Sequence, residues 1–313
     1  MDLRQIAYIV KIADEGTITK AAQQLYISQS GLNQQLLKLE KELGLPLFHR
    51  GKYDLRPTQA GQIYIAYGRR ILEQKREAYA RIRDLAENNA GSLRIGLTPE
   101  RGTTMLIDIY SDFHRQYPGI TIEPEEIHVK KQLAMLMQDY LDIGFVTLTD
   151  QDKLPGMEFI HIKSEPILLG IPRTHPLAAR ANPPYAPYAE IDLSLFADDT
   201  FILMFKGSTL RGVIDPLFAQ AGFVPNILFE TASNRTLYTM TKKAMGCTLI
   251  PQTYAREQDA IAYFKLPKNP VWELAIAYRM GHYLPKPAQT FIRLAKEYWN
   301  KTATDEAPSR LPT

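Results

Sequence analysis

Seven residues of the stretch 59–88 return to one side of a helix. Ile63, Tyr67, Ile71, Gln74, Ala78, Ile82 and Leu85 step by 4, 4, 3, 4, 4, 3. That alternation keeps the ~3.5-residue period of a coiled-coil seam, narrower than the face a helix turns toward a globular core. A long helix with one thin apolar seam needs a partner outside its own domain. The spacing therefore predicts a self-pairing helix over 59–90 and divides the chain around it. "NNAGS" at 88–92 ends the pattern and reads as a hinge.

The two sides of this helix carry different periodicities. Before it, Leu3, Ile6, Ile9, Val10 and Ala13 mark one helix, ended by Gly16. Thr17 opens a second, short helix through Leu25, and "YISQS" breaks it. A third runs from about Gln29 to Leu43, with Leu32, Leu36, Leu39 and Leu43 inward and Gly44 as its stop. "LPLFHRGKYDLRPT" then reads as a small two-stranded wing. After the seam, strands and helices alternate, which predicts parallel α/β sheets covered by helices. The strands expected are "SLRIGLT", "ITIEPEEI", "DIGFVT", "PILLGIP", "TFILMF", "NILFET", "CTLIP" and "WELAIAYR". The polar tail 301–313 is expected to be unstructured.

Charge follows the same division. The chain is 23% charged with a net charge of +3. Residues 1–90 hold 14 Lys+Arg against 10 Asp+Glu, and the remainder holds 23 against 24. A modest basic excess in the first part suits a polyanion. No apolar run reaches the ~18 residues of a membrane span. The start "MDLRQIAYIV" lacks the pattern of a signal peptide, so a cytoplasmic location is the expectation.

The third helix explains what the polyanion would be. Its leucines face inward, which turns Gln29, Ser30, Asn33, Gln34 and Leu37 outward together. Amides pair both edges of an adenine, and hydroxyls donate or accept at several bases. These four polar residues are the candidate base contacts. The cations Lys20, Lys38, Arg50, Lys52 and Arg56, with hydroxyls from Thr17, Thr19 and Ser28, flank them as candidate backbone contacts. Two short helices, a tight turn and a basic wing form a winged helix-turn-helix, whose second helix enters the major groove by its N-terminal end.

These residues also carry a resemblance. "GTITKAAQQLYISQSGLNQQLLKLEKELGLPLFHR" and "LRPTQAG" resemble the LysR-type bacterial transcriptional regulators. The family pattern runs from a small residue and Thr/Ser before Ala-Ala, through Leu and Ser-Gln, to Leu-Glu-x-x-Leu-Gly-x-x-Leu-Phe-x-Arg. All those positions match. Two depart from common usage. Ser30 stands where proline is frequent, and Gly31-Leu32-Asn33-Gln34 replaces Ala-Leu-Ser-Arg. Without the arginine, adenine or water-mediated reading is favoured over a guanine contact at that spot. The resemblance implies a winged helix-turn-helix at 1–58, a dimerising linker helix at 59–90, and an effector domain of two α/β lobes like the periplasmic binding proteins. Lobe I would be 91–163 plus 267–300, and lobe II 164–266. It further implies double-stranded DNA as partner, pairing to a dimer and then a tetramer, contact with RNA polymerase, and no catalysis.

Three loops suit an effector cleft. "TPERGTT" follows the first strand and opens a helix, with Thr98, Pro99, Glu100, Arg101, Gly102, Thr103 and Thr104. "FKGSTLR" supplies Phe205, Gly207, Ser208 and Thr209 at another helix start, and "FVTLTD" supplies Thr147 and Thr149. Helix N-termini with hydroxyls favour a carboxylate or similar anion, and Arg101 would add charge. The same Thr and Ser residues also serve as ordinary helix caps.

Other chemistry finds no footing. Cys247, the single cysteine, lies in an apolar strand and reads as a buried small hydrophobe. The histidines 49, 114, 128, 161, 175 and 282 show no metal-ligand spacing, so neither metal nor cofactor is expected. "GTTMLI" and "GSTLRG" lack the Gly-Lys end of a P-loop. A solute-binding module and a doubly wound metabolic enzyme are the rival readings. The missing signal peptide weighs against the first and the missing catalytic constellation against the second.

Overall fold

The computed structural model describes residues 2–50, 55–85, 90–183, 186–255 and 260–304. The chain forms two compact units, one of residues 1–88 with 138–140 and one of the rest. Lys52 and the side chains of Arg50 and Leu85 lie outside the described residues.

The first unit holds α1 (Leu3–Glu15), α2 (Ile18–Gln24), α3 (Gln29–Leu43), β1 (Phe48–Arg50), β2 (Leu55–Pro57) and α4 (Gln59–Leu85). Local chemistry sets each boundary. Asp2 caps α1 by accepting from Arg4 N–H at 2.7 Å, and Gly16 ends it at φ 66°. Thr17 caps α2 by accepting from Lys20 N–H at 3.3 Å. Ser28 caps α3. Leu32, Leu36 and Leu39 close on Ile9, Ile12, Ala21, Ala22, Leu47, Phe48 and Ile65 as one core. Leu43, expected in that stripe, is 44% exposed because α3 outruns the core by its last turn.

The wing is tied down at both ends. Glu40 on α3 accepts from Leu47 N–H at 2.7 Å, and β1 pairs antiparallel with β2. Thr58 accepts from Gly61 N–H at 3.0 Å and so caps the start of α4. Gly61 is required by contact: a Cβ there would stand 1.9 Å from the Leu47 carbonyl oxygen. One turn pair further, Gly68 lets α4 close on Ile6 and Val10 of α1.

The second unit begins with β3 (Ala90–Leu97), α5 (Arg101–Gln116), β4 (Gly119–Glu126), α6 (Val129–Met137), β5 (Ile143–Leu148) and β6 (Met157–Pro172). It continues with β7 (Thr200–Met204), α7 (Thr209–Gln220), β8 (Asn226–Thr231), α8 (Asn234–Lys242), β9 (Thr248–Pro251), β10 (Ile261–Lys265), β11 (Val271–Arg279) and α9 (Lys286–Thr304). The main sheet runs β10-β6-β11-β5-β3-β4, with β9 also on β6. In lobe I, α5 and α9 cover one face through Phe113, Phe145, Phe291 and Trp299. α6 covers the other face with Leu133 and Leu136 on Val146 and Ala275. In lobe II, β7 and β8 are parallel, and α7 packs Phe218 edge-on against Phe201.

Several expectations change here. The sheets are mixed: β11 runs antiparallel to β5 and β6, and β9 and β10 run antiparallel to β6. β6 starts nine residues before the expected "PILLGIP" because 157–165 pair with β11 while mostly partly exposed, with only Met157, Ile162 and Glu165 buried. β10 was not expected at all. The lobe break expected at 163/164 falls inside β6, which pairs with β11 along Met157–Pro166 and with β10 along Leu168–Pro172. α9 reaches Thr304, so 301–304 of the expected tail are helical.

Candidate functional site

In the first unit the polar end of α3 is presented outward. Gln29, Ser30 and Gln34 are exposed and Asn33 is half-buried, while the leucines beneath are sealed. Ser28 Oγ accepts from Gly31 N–H at 3.1 Å, and Ser30 Oγ–H points to it at 3.3 Å. Gly31 belongs to the same arrangement, because a Cβ there would meet Ser28 Oγ at 2.9 Å. The glycine lowers helix propensity by about 1 kcal/mol relative to alanine and in exchange leaves the cap its place. Thr19, Lys20, Lys38 and Arg56 are exposed, and Thr17 is half-buried as a cap. Tyr26, in the turn before α3, is 96% exposed and takes a left-handed φ of 54°.

The helix α4 has two unlike sides. Gly61, Ile65 and Gly68 pack toward the core. Of the expected seam, Ile63, Tyr67 and Ile82 are each more than half exposed. Gln74 and Ala78 are exposed too, and Ile71 is half-buried.

In the second unit, β3 lies between β4 and β5, so the chain reverses its direction of travel across the sheet at β3. Crevices at the carboxyl ends of such strands are where open α/β sheets take ligands. Thr98 follows β3 and Thr147 ends β5. Thr147 Oγ1 lies 3.2 Å from Thr209 Oγ1 of α7, which joins lobe I to lobe II. Thr98 is buried, and its hydroxyl has no hydrogen-bond partner among the described residues. On the lobe II side Ser208 caps α7, accepting from Arg211 N–H at 3.2 Å. Phe205 packs on the His128 ring at 4.8 Å, and a Cβ at Gly207 would lie 3.7 Å from Lys130 Nζ. Thr147 thus meets Thr209, and Phe205 and Gly207 lie against His128 and Lys130. Those two were missed. They begin α6, after the carboxyl end of β4, and the rule that selected 98–104 would have found them.

Other expected residues are committed elsewhere. Arg101 Nη1 donates to Glu165 Oε2 at 2.6 Å, and the pair is buried. Its guanidinium lies 4.8 Å from the Trp299 ring centroid. Glu100 turns to lobe II, where Ser233 Oγ–H donates to it. Thr103 Oγ1–H donates to Glu126 at 3.0 Å, and Thr149 is held by Asp152 through N–H and Oγ1–H, both at 2.9 Å. Pro99 is half-buried, and Gly102 packs against Leu97. Among the described residues there is no cluster able to hold a metal, and no helix long and apolar enough to cross a membrane.

Known proteins share both units. The family profile described as "Bacterial regulatory helix-turn-helix protein, lysR family" matches residues 3–62, and "LysR substrate binding domain" matches residues 86–300. The HTH-type transcriptional regulator YnfL of Escherichia coli strain K12 is 32% identical over 262 residues, 82% of this chain and 84% of that protein. Among solved structures, full-length OxyR C199D from Pseudomonas aeruginosa superimposes with a TM-score of 0.70 at 22% identity, covering 100% of this chain and 99% of that one. Full-length CbnR complexed with its target DNA gives a TM-score of 0.57 at 22% identity, covering 95% and 99%. The chain belongs to the LysR family of bacterial transcriptional regulators: it is a DNA-binding regulator with an effector-binding domain, and not an enzyme.

Proposed function

We propose that residues 1–58 read an operator through Gln29, Ser30, Asn33 and Gln34, while Lys20, Lys38, Arg56 and the hydroxyls of Thr17, Thr19 and Ser28 grip the phosphates. The observation that carries this reading is the outward polar end of α3 above a closed leucine core. A capping hydroxyl uses its lone pair for the helix and keeps its hydrogen to donate outward. The exposed seam Ile63, Tyr67, Ala78 and Ile82 pairs two copies along 59–90, and the effector domains join dimers into a tetramer. Two reading heads then meet an inverted repeat.

The effector is a small anion, a carboxylate by preference, held between lobe I (91–163, 267–300) and lobe II (164–266). Lys130, the unpartnered Thr98 hydroxyl and the start of α7 support that preference. A ligand that prefers one lobe arrangement shifts its population and thereby promoter use.

The test is binding to the protein's own upstream DNA and to random duplex, with Asn33→Ala beside the wild type. The reading requires the variant to lose operator affinity by about 1–3 kcal/mol while random-DNA affinity holds; an equal loss on both would end it. For the effector, a thermal-shift screen of small carboxylates is repeated with Thr98→Val. A hit that the variant binds equally well would move the site elsewhere.

A further inference from the structure

Glu100 has partners that its place in the chain does not call for. It stands at the N-cap of α5, yet its side chain makes no capping bond, and its φ of 64° lies in the left-handed region that glutamate enters only at a cost. The carboxylate crosses to lobe II instead. It accepts from Ser233 Oγ–H, from Arg235 N–H at 3.3 Å and from Tyr254 O–H at 3.3 Å. Ser233 is the N-cap of α8, and Arg235 N–H is one of the first-turn donors that a helix cannot satisfy internally. The negative charge thus rests on the positive end of α8. Burial, first among its causes, pushes the Tyr254 phenol above its ordinary range, so it stays protonated and donates. The next residue, Arg101, fastens the same loop to Glu165 of β6.

We propose that Glu100 is a positioning residue: its carboxylate fastens the loop after β3 to the start of α8 and holds the two lobes in the arrangement that a bound effector then changes. This deepens the reading of the unit as effector-binding and rests on it. The strained backbone is the mark of the device. A residue relaxed in its own helix would cap α5, whereas this one surrenders that bond to reach a donor set 133 residues further along the chain.

The test uses the full chain with Glu100→Gly, which suits the left-handed backbone and removes the side chain with its carboxylate. Thermal melts are recorded at equal ionic strength in sodium chloride and in sodium acetate. The variant melts lower in chloride, and acetate at concentrations well above its dissociation constant raises the variant by about 3 °C more than it raises the wild type. Adding Ser233→Ala abolishes that difference. Equal acetate shifts in variant and wild type, or none in the variant, overturn the proposal. Should Glu100→Gly fail to fold, Glu100→Gln and Ser233→Ala are combined instead. A double variant that loses less than the sum of the singles supports the tie, and strict additivity overturns it. Neither result depends on finding the effector, so a failed ligand screen and a failed tie are told apart.

Discussion

Arg101 and Glu165 form a buried ion pair, 2.6 Å from Nη1 to Oε2, with side-chain exposures of 5% and 1%. Glu165 is also met by Trp272 Nε1–H at 3.0 Å and Thr253 N–H at 3.0 Å, so the carboxylate is well enclosed by donors.

Removing one partner strands the other. Arg101→Met or Glu165→Gln should each destabilise the second unit by about 3–5 kcal/mol, read from urea unfolding. Acid gives an independent check. Burial by itself raises the Glu165 carboxyl, but Arg101 and the bonds from Thr253 and Trp272 outweigh it and hold the group below its ordinary 4.5. The unfolded chain therefore takes up the proton first. The stabilisation is complete above about pH 4.5 and drains away as pH falls through the lower folded value. Between pH 6 and 3 the wild-type midpoint should drop further than that of Glu165→Gln.

Gly61→Ala and Gly212→Ala should move stability in opposite directions. The first drives a methyl into the Leu47 carbonyl and costs about 3 kcal/mol or more, while the second, on α7, meets nothing within 4 Å among the described residues. There the gain in helix propensity, up to about 1 kcal/mol, should appear in full. Chemical denaturation of both variants decides it.

Lys38→Gln should weaken binding to every duplex alike. The slope of log affinity against log salt should shrink by about 1, the signature of one lost phosphate contact. Anisotropy titrations across a salt series measure it, and an unchanged slope removes Lys38 from the backbone contacts.

Ile82→Asp should separate paired copies without unfolding either. Ile82 is 61% exposed in the isolated chain, so a charge there costs nothing until a second helix covers it. Sedimentation velocity should show a lower mass with unchanged helicity. Retained assembly would place the interface away from this seam.

Cys247 should stay silent toward peroxide and disulfide reagents. Burial first, then the nearby charge of Asp199, pushes its thiol up to about 12, which leaves almost no thiolate at pH 8. Thiol counting should find no reactive group in the folded protein and one after unfolding.

The first unit was largely legible in the sequence because its signals are local. Caps such as Thr17 and Ser28, stops such as Gly16 and Gly44, and the inward leucines each lie within a few residues of what they determine. The second unit was legible in order but not in direction. No local signal says that β11 turns back along β5, or that 157–165 extend "PILLGIP" into one strand. The cleft shows the same limit. The places of Thr98 and Thr147 at strand ends and of Ser208 before a helix were readable. The commitments of Glu100 and Arg101 were not, because Ser233 and Glu165 reach them only through the fold. Gly31 could be seen as a propensity loss, but its reason, the Ser28 oxygen, shows only in the folded cap.

β6 is owned by both lobes: one continuous ribbon serves β11 with its first half and β10 with its second, and Ile167 N–H reaches Pro270 O at 2.8 Å where the halves meet. Such a shared spine resists being pulled apart but yields to wringing. A rearrangement of the two lobes would therefore appear as a twist of this strand rather than as a separation of its ends.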